Sequence, residues 1–297
     1  MKNFKWFYTL LTSLLMIVGL NACQSQPSQQ TSTDKSANDS GHWVWYDLVA
    51  HDVAQAQGFY SRVFGWEFEK TTVDGKPYWL ASLNGSKVAG LLNFNRQPES
   101  YRHAVWINFL SVNSVDDAVQ IVRQGQGEVI VDVEFVPGRG GQLAVVKDAE
   151  EAVFGLVSSK EKEKALAETA VNHFVWSELW ADDLQRMAGF YAALASYEIE
   201  KQHSVDDLDE VVLLKNNRPH AGIIQIAREH EKSAWLPYIR VQNLQQTLQR
   251  VSAAGGEILV EPSEKIRNGK VSVIKDNQGA AIGLFEWPAG KMQEAIR

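Results

Sequence analysis

The chain is poor in cysteine. Its 297 residues include a single one, Cys23, so no disulfide can form within the chain. It also lacks a positive surplus. Lys and Arg number 29 against 36 Asp and Glu, the formal charge is -7, and no block of like charge interrupts the body. A nucleic-acid partner would need a basic surface, so that class is set aside. The apolar run Phe7 to Leu20 is too short to span a bilayer comfortably. Aromatic residues, by contrast, are plentiful. The ten tryptophans are large side chains, each with one N–H that wants a partner, and such an excess implies a pocket or packed seams. The length suggests two domains, and the 45% apolar content is ordinary for a globular core.

Two stretches match. Trp45-Tyr46-Asp47-Leu48 opens a segment that runs to Phe59-Tyr60, and Trp176-Ser177-Glu178-Leu179 opens one that runs to Phe190-Tyr191. Trp, Leu, Ala, Asp, Gly, Phe and Tyr recur at the same places, which marks an internal repeat. Around the first copy the pattern predicts a strand over 43–49. A helix follows over 53–64 with Asp52 at its N-cap, ended by Gly65. Three short strands come next, turned at Asp74-Gly75 and Asn84-Gly85. A second module of the same order runs from His103 to about Ser159. A third starts at His173 and a fourth near Ser233.

The architecture expected is α+β, with four βαβββ modules paired into two cup-shaped mixed-sheet domains at 42–160 and 173–290. Residues 161–172 connect them. Residues 24–41 are rich in Gln, Ser, Thr and Asn and read as a flexible tether. The start of the chain is Lys2 and Lys5, an apolar run, then Leu20-Asn21-Ala22-Cys23. It resembles the lipobox of bacterial lipoproteins, with residues 1–22 as signal peptide and Cys23 as the lipidated first residue of segment 23–41. Gln24 after that cysteine implies, by the same resemblance, the outer membrane.

Four βαβββ units, the first and third with a Trp-x-(Asp/Glu)-Leu start followed by Phe-Tyr and the first also with Phe64-Gly65-Trp66, resemble the vicinal oxygen chelate superfamily. Its members include glyoxalase I, bleomycin-resistance proteins and extradiol dioxygenases. The resemblance implies that each module offers a His or Gln from its first strand and a Glu from its last strand to a metal in the cup. The residue seven before the strand-ending Asp is Trp45 in the first module and Trp176 in the third. Trp106 and Trp235 align with them in modules two and four. The last-strand places fall on Gly90, Gly155, Gly222 and Gly283. Indole has no lone pair for a metal and glycine has no side chain, so no metal and no other cofactor is expected.

Trp45, Trp106, Trp176 and Trp235 then wall either an aromatic cleft or a packed core. Alternation along the strand puts Asp47 and Glu178 on the same face, with Asn108 and Pro237 as their counterparts. Each carboxylate is a candidate general base or amine anchor, or else a structural acceptor for an indole N–H. His42, His103 and His173 recur three residues before the Trp, where the fourth module has Lys232, and their parity points away from the cup. His220 is a candidate for the rim and His51 is expected to be solvated. Pro137-Gly138-Arg139-Gly140-Gly141 reads as a loop over the first cup rather than a phosphate loop, because no helix follows it. Asn268-Gly269 is the matching turn. The function expected is an envelope lipoprotein binding a small molecule, its partners being the membrane and that ligand. The alternatives are an enzyme of the glyoxalase or dioxygenase type, or a structural lipoprotein with packed cups.

Overall fold

A computed structural model describes residues 40–73, 75–93, 103–136, 141–159, 170–203, 209–226 and 232–286. The proposed signal peptide, Cys23, the tether up to residue 39 and most of the connector lie outside them. The first module is β1 (Trp43–Ala50), α1 (Val53–Phe64), β2 (Glu67–Val73), β3 (Lys76–Leu83) and β4 (Ser86–Asn93). The second is β5 (Val105–Ser111), α2 (Val115–Gln124), β6 (Glu128–Val136), β7 (Gly141–Lys147) and β8 (Val153–Ser159). The third is β9 (Phe174–Ala181), α3 (Leu184–Ala195), β10 (Glu198–His203), β11 (Asp209–Lys215) and β12 (Arg218–Gln225). The fourth is β13 (Ala234–Val241), α4 (Leu244–Ala253), β14 (Glu257–Val260), β15 (Val271–Lys275) and β16 (Ala281–Glu286).

Local chemistry sets these boundaries. Asp52 accepts from the Gln55 amide at 3.0 Å at the start of α1, and Gly65 ends that helix at φ 76°. Ser114, Asp183 and Asn243 cap the other three helices in the same way. The Asn84-Gly85 turn has both residues at positive φ, 49° and 78°.

Each half is one eight-stranded mixed sheet. The first runs β2-β3-β4-β1-β5-β8-β7-β6 and the second β10-β11-β12-β9-β13-β16-β15-β14. In every module the first and last strands pair in parallel, and the first strands of two modules pair antiparallel at the centre. The α+β cup architecture expected from the sequence is the one observed.

The helix-side faces of both sheets share one continuous apolar core. Tyr46 stacks on Phe174 with ring centroids 4.0 Å apart, and Trp43 packs on Trp235 at 4.3 Å. Two turns bind the halves reciprocally. Glu150, after β7, accepts from the amides of Asp182 and Asp183 at 2.7 Å each. Gln278, after β15, accepts from the amides of His51 and Asp52 at 3.1 and 2.9 Å. Among the described residues no helix is long and apolar enough to cross a membrane.

Candidate functional site

The cups lie on the sheet faces away from the helices. Register fixes which residues look into them. On the parallel pairs Asp47 stands beside Gly90, Phe109 beside Gly155, Glu178 beside Gly222 and Tyr238 beside Gly283. The four glycines are thus equivalent, and each clears space for a neighbour. A Cβ on Gly155 would lie 2.1 Å from the Phe109 ring, and one on Gly283 would lie 2.2 Å from the Tyr238 ring. On Gly90 it would collide with the Tyr78 hydroxyl, and on Gly222 it would press on Trp176 at 3.2 Å.

Trp45, Asp47, Trp176 and Glu178 face the cups. Trp106 and Trp235 do not. The caps Ser114 and Asn243 place Ile107 and Leu236, not these tryptophans, seven residues before the helix start. One residue of offset turns a strand side chain to the opposite face. Trp106 is buried on the helix side, where its Nε1 donates to Tyr60 Oη at 3.0 Å, and Tyr60 donates to Asp276 at 2.9 Å. Trp235 repeats this with Tyr191 at 2.7 Å and Asp148 at 2.8 Å. Asn108 and Pro237 are likewise the counterparts of Tyr46 and Ser177 rather than of the carboxylates. Asn108 Nδ2 donates to Ser177 Oγ at 3.2 Å, at the junction of the halves.

In the first cup Asp47 Oδ1 accepts from Trp45 Nε1 at 2.7 Å and from Tyr78 Oη at 2.7 Å. No local pattern in the sequence marks Tyr78. It occupies the cup-facing position next along β3 from Leu80, which pairs with Gly90. In the second cup Glu178 Oε1 accepts from Tyr238 Oη at 2.7 Å and from Trp180 Nε1 at 3.3 Å. Its Oε2 meets Arg267 Nη2 at 3.1 Å, and the same nitrogen reaches Glu210 Oε1 at 2.7 Å. Burial pushes the Glu210 carboxyl up to about 7, with the nearby Arg267 charge pulling it down and the Glu178 charge pushing it up. Burial also lifts the Tyr238 phenol well above its ordinary value, so it stays a donor to Glu178. Arg267 was missed in the sequence. The signal was there: it stands sixteen residues before Gly283, as Arg139 does before Gly155. Arg139 and its loop lie outside the described residues.

The two cups differ in closure. Trp45, Leu80, Ile107, Leu143 and Val145 are half-buried in the first. Their counterparts by register and cap spacing are Trp176, Val212, Leu236, Val271 and Val273, all no more than 6% exposed. They form a small separate core with Tyr238 and Phe285.

The histidines are dispersed. His42 and His220 pack edge to face at 4.5 Å, and His220 also stacks on Tyr197. That places His220 at the junction of the halves rather than at a cup rim. Burial lowers its imidazole to about 4, so it is neutral. His173 Nδ1 meets Val171 O at 3.0 Å, and His103 is exposed.

Two pseudo-repeated cups of βαβββ modules, each with a carboxylate among aromatic rings, define a tandem glyoxalase-type protein. The comparisons agree. A family model for the Glyoxalase/Bleomycin resistance protein/Dioxygenase superfamily matches residues 42–154, and one for a glyoxalase-like domain matches residues 175–285. The chain belongs to this superfamily and carries two glyoxalase-like domains. CFP32 of Mycobacterium tuberculosis, which bears a provisional glyoxylase name, is 25% identical over 244 residues, covering 82% of this chain and 93% of that protein. The anthracycline biosynthesis protein DauV of a Streptomyces species is 26% identical over 259 residues, covering 82% and 92%. Among solved structures, the Mn(II)-bound glyoxalase of Novosphingobium aromaticivorans superposes with TM-score 0.57 at 14% identity, covering 83% and 82%. The trihydroxybiphenyl dioxygenase of Sphingomonas wittichii gives 0.56 at 12%, covering 84% and 91%.

A divalent transition metal needs several imidazole, carboxylate or thiolate donors converging on one point. Among the described residues no three His, Cys, Asp or Glu converge so. The first cup presents Asp47, already bonded to an indole and a phenol. The second presents two carboxylates already bridged by a guanidinium. These donor sets do not fit the metal of the superfamily.

Proposed function

We propose that this protein binds a small, partly aromatic or amine-bearing molecule in its first cup. The observation that carries this reading is the difference in closure. The first cup keeps a half-exposed apolar and aromatic lining around one buried carboxylate, whereas the equivalent wall of the second is packed shut. Apolar walls with a few convergent polar groups are the general character of ligand pockets. Asp47 would orient the ligand and Trp45 would cover it. Glu178 is held by Arg267, Tyr238 and Trp180, which disfavours a general-base role for it.

We further propose that the chain is a lipoprotein of the bacterial envelope, anchored through acyl chains on Cys23 and holding the cups off the membrane by the segment that follows. Its place at the outer membrane is part of the same proposal. Two Streptomyces relatives carry anthracycline biosynthesis names, which makes a planar aromatic compound a reasonable first probe.

The test is a titration of the purified protein with an anthracycline and with simple aromatic amines, followed by tryptophan fluorescence. Saturable quenching is expected. Trp45→Phe should remove most of it, and Asp47→Asn should weaken an amine-bearing ligand about tenfold, ~1.4 kcal/mol. Quenching that both substitutions leave intact would place the ligand elsewhere.

A further inference from the structure

The second cup contains a cation already, and the chain itself supplies it. Arg267 opens a tight turn, Arg267–Gly269, in the loop between β14 and β15. Its loop neighbours Glu264, Lys265 and Ile266 are exposed, yet the guanidinium reaches inward between Glu178 and Glu210 and lies 5.7 Å over the Phe285 ring. The backbone that delivers it is unusual. Arg267 and Asn268 both take positive φ, 45° and 54°, followed by Gly269 at 69°. Asparagine enters this region readily and arginine seldom does, so Arg267 is the strained residue of the pair.

The fit around the guanidinium is incomplete. Arg267 Nη1 is buried without a hydrogen-bond partner, and so is Trp176 Nε1. That indole nitrogen lies 3.4 Å from where a Cβ on Gly222 would stand, and Glu178 Cγ lies 3.5 Å from the same point. A structural ion pair that had only to fill space would be expected to satisfy its donors, because leaving them unpaired is costly. Two carboxylates, an aromatic wall and an indole donor awaiting an oxygen describe a receptor for a flat organic cation.

We infer that the second cup is a binding site for an organic cation of guanidinium, amidinium or amine type carrying an oxygen acceptor, and that Arg267 holds the site shut by standing in for that cation. The cation bonds to Glu178 and Glu210, Phe285 stacks on it, and the Trp176 N–H binds the ligand oxygen. Arg267 leaves with its turn when the ligand enters. This assignment is independent of the ligand proposed for the first cup.

The test uses the whole mature chain and benzamidine and 4-hydroxybenzamidine as probes. Wild-type protein should bind weakly, with faster amide exchange over residues 264–270 as probe saturates. Arg267→Ala should bind at least tenfold more tightly and gain thermal stability from the probe. Removing Arg267 leaves two buried carboxylates facing each other, so the double variant Arg267→Ala with Glu210→Gln guards against failure to fold. Adding Glu178→Gln to that background should abolish binding. Trp176→Phe should erase the preference for the hydroxylated probe. Failure of folded Arg267→Ala to bind either probe more tightly than wild type, or of the double variant to bind it more tightly than Glu210→Gln alone, would overturn the inference. So would unchanged exchange over 264–270 in probe-saturated wild-type protein.

Discussion

Single residues carry two opposite expectations about glycine. Gly155 is on a strand with the Phe109 ring lying across it, so a methyl there has nowhere to go. Gly155→Ala should lower stability by roughly 1–3 kcal/mol, the usual cost of overpacking. Gly189 is an exposed position inside α3 with nothing within 4 Å of its would-be Cβ. Gly189→Ala should raise stability by about 0.5–1 kcal/mol, because alanine gives up less backbone freedom in a helix. Urea unfolding of both variants checks the pair, and equal signs would contradict the argument. Asp148 adds a pH dependence. Burial raises its carboxyl from 3.8 to about 6, against the bonds it accepts from Tyr191, Ala152 and Glu150. The folded state therefore holds this proton more tightly than the unfolded chain does. The stabilisation is complete below about pH 4 and is lost as pH rises through 6, on the order of 1–3 kcal/mol. The difference in unfolding free energy between wild type and Asp148→Asn, measured from pH 4 to pH 8, should trace that window. A difference that stays flat would remove Asp148 as its source.

At the level of elements, the turns after β7 and β15 do more than reverse the chain. Glu150 satisfies two amides that open toward α3, and Gln278 does the same for the approach to α1. Glu150→Ala leaves two donors to water and should cost about 1 kcal/mol, seen as a lower denaturation midpoint with an unchanged slope. Such elements were largely legible in the chain. α1 matches the expected 53–64 because its capping Asp, apolar spacing and closing glycine are all local signals. The equivalence of the four glycines was also legible, since their Gly-apolar-apolar context repeats. The facing of β5 and β13 was not. Tryptophan recurs at 106 and 235, but the caps that fix strand phase sit one residue out of step with it. A side chain period of two turns that single step into the wrong face. Tyr78, Glu210 and Arg267 are hard to read from the chain for a different reason. Tyr78 and Glu210 reach the cups from separate strands, so only the assembled register brings them to Asp47 and Glu178, and Arg267 is marked in the sequence by nothing but its spacing to Gly283.

Across the whole molecule the halves are joined by reciprocal buried chains of hydrogen bonds. Trp106 to Tyr60 ends on Asp276 of the second half, and Trp235 to Tyr191 ends on Asp148 of the first. Trp66 Nε1 donates to Asn172 O at 2.9 Å, crossing the same boundary. Burial lifts both tyrosine phenols well above their ordinary value, so they remain donors throughout the physiological range. Neither half has a finished core alone, because the helix-side cluster is continuous across them. Heating should therefore unfold both halves in one calorimetric transition, and two well-separated transitions would contradict a shared core. The symmetry makes a sharper expectation. Tyr60 is the counterpart of Tyr191, and Asp148 is the counterpart of Asp276. An isolated first half, residues 42–160, thus contains both a donor and an acceptor for the contact it has lost. Two copies can meet as the two halves do, with Tyr60 of each bonded to Asp148 of the other, in a closed two-fold interface. Produced alone, this half should be a dimer by sedimentation, and Tyr60→Phe should weaken its self-association by roughly 1–2 kcal/mol because a buried carboxylate loses its donor. A folded, soluble monomer of residues 42–160 would show instead that the interface adds to cores already complete.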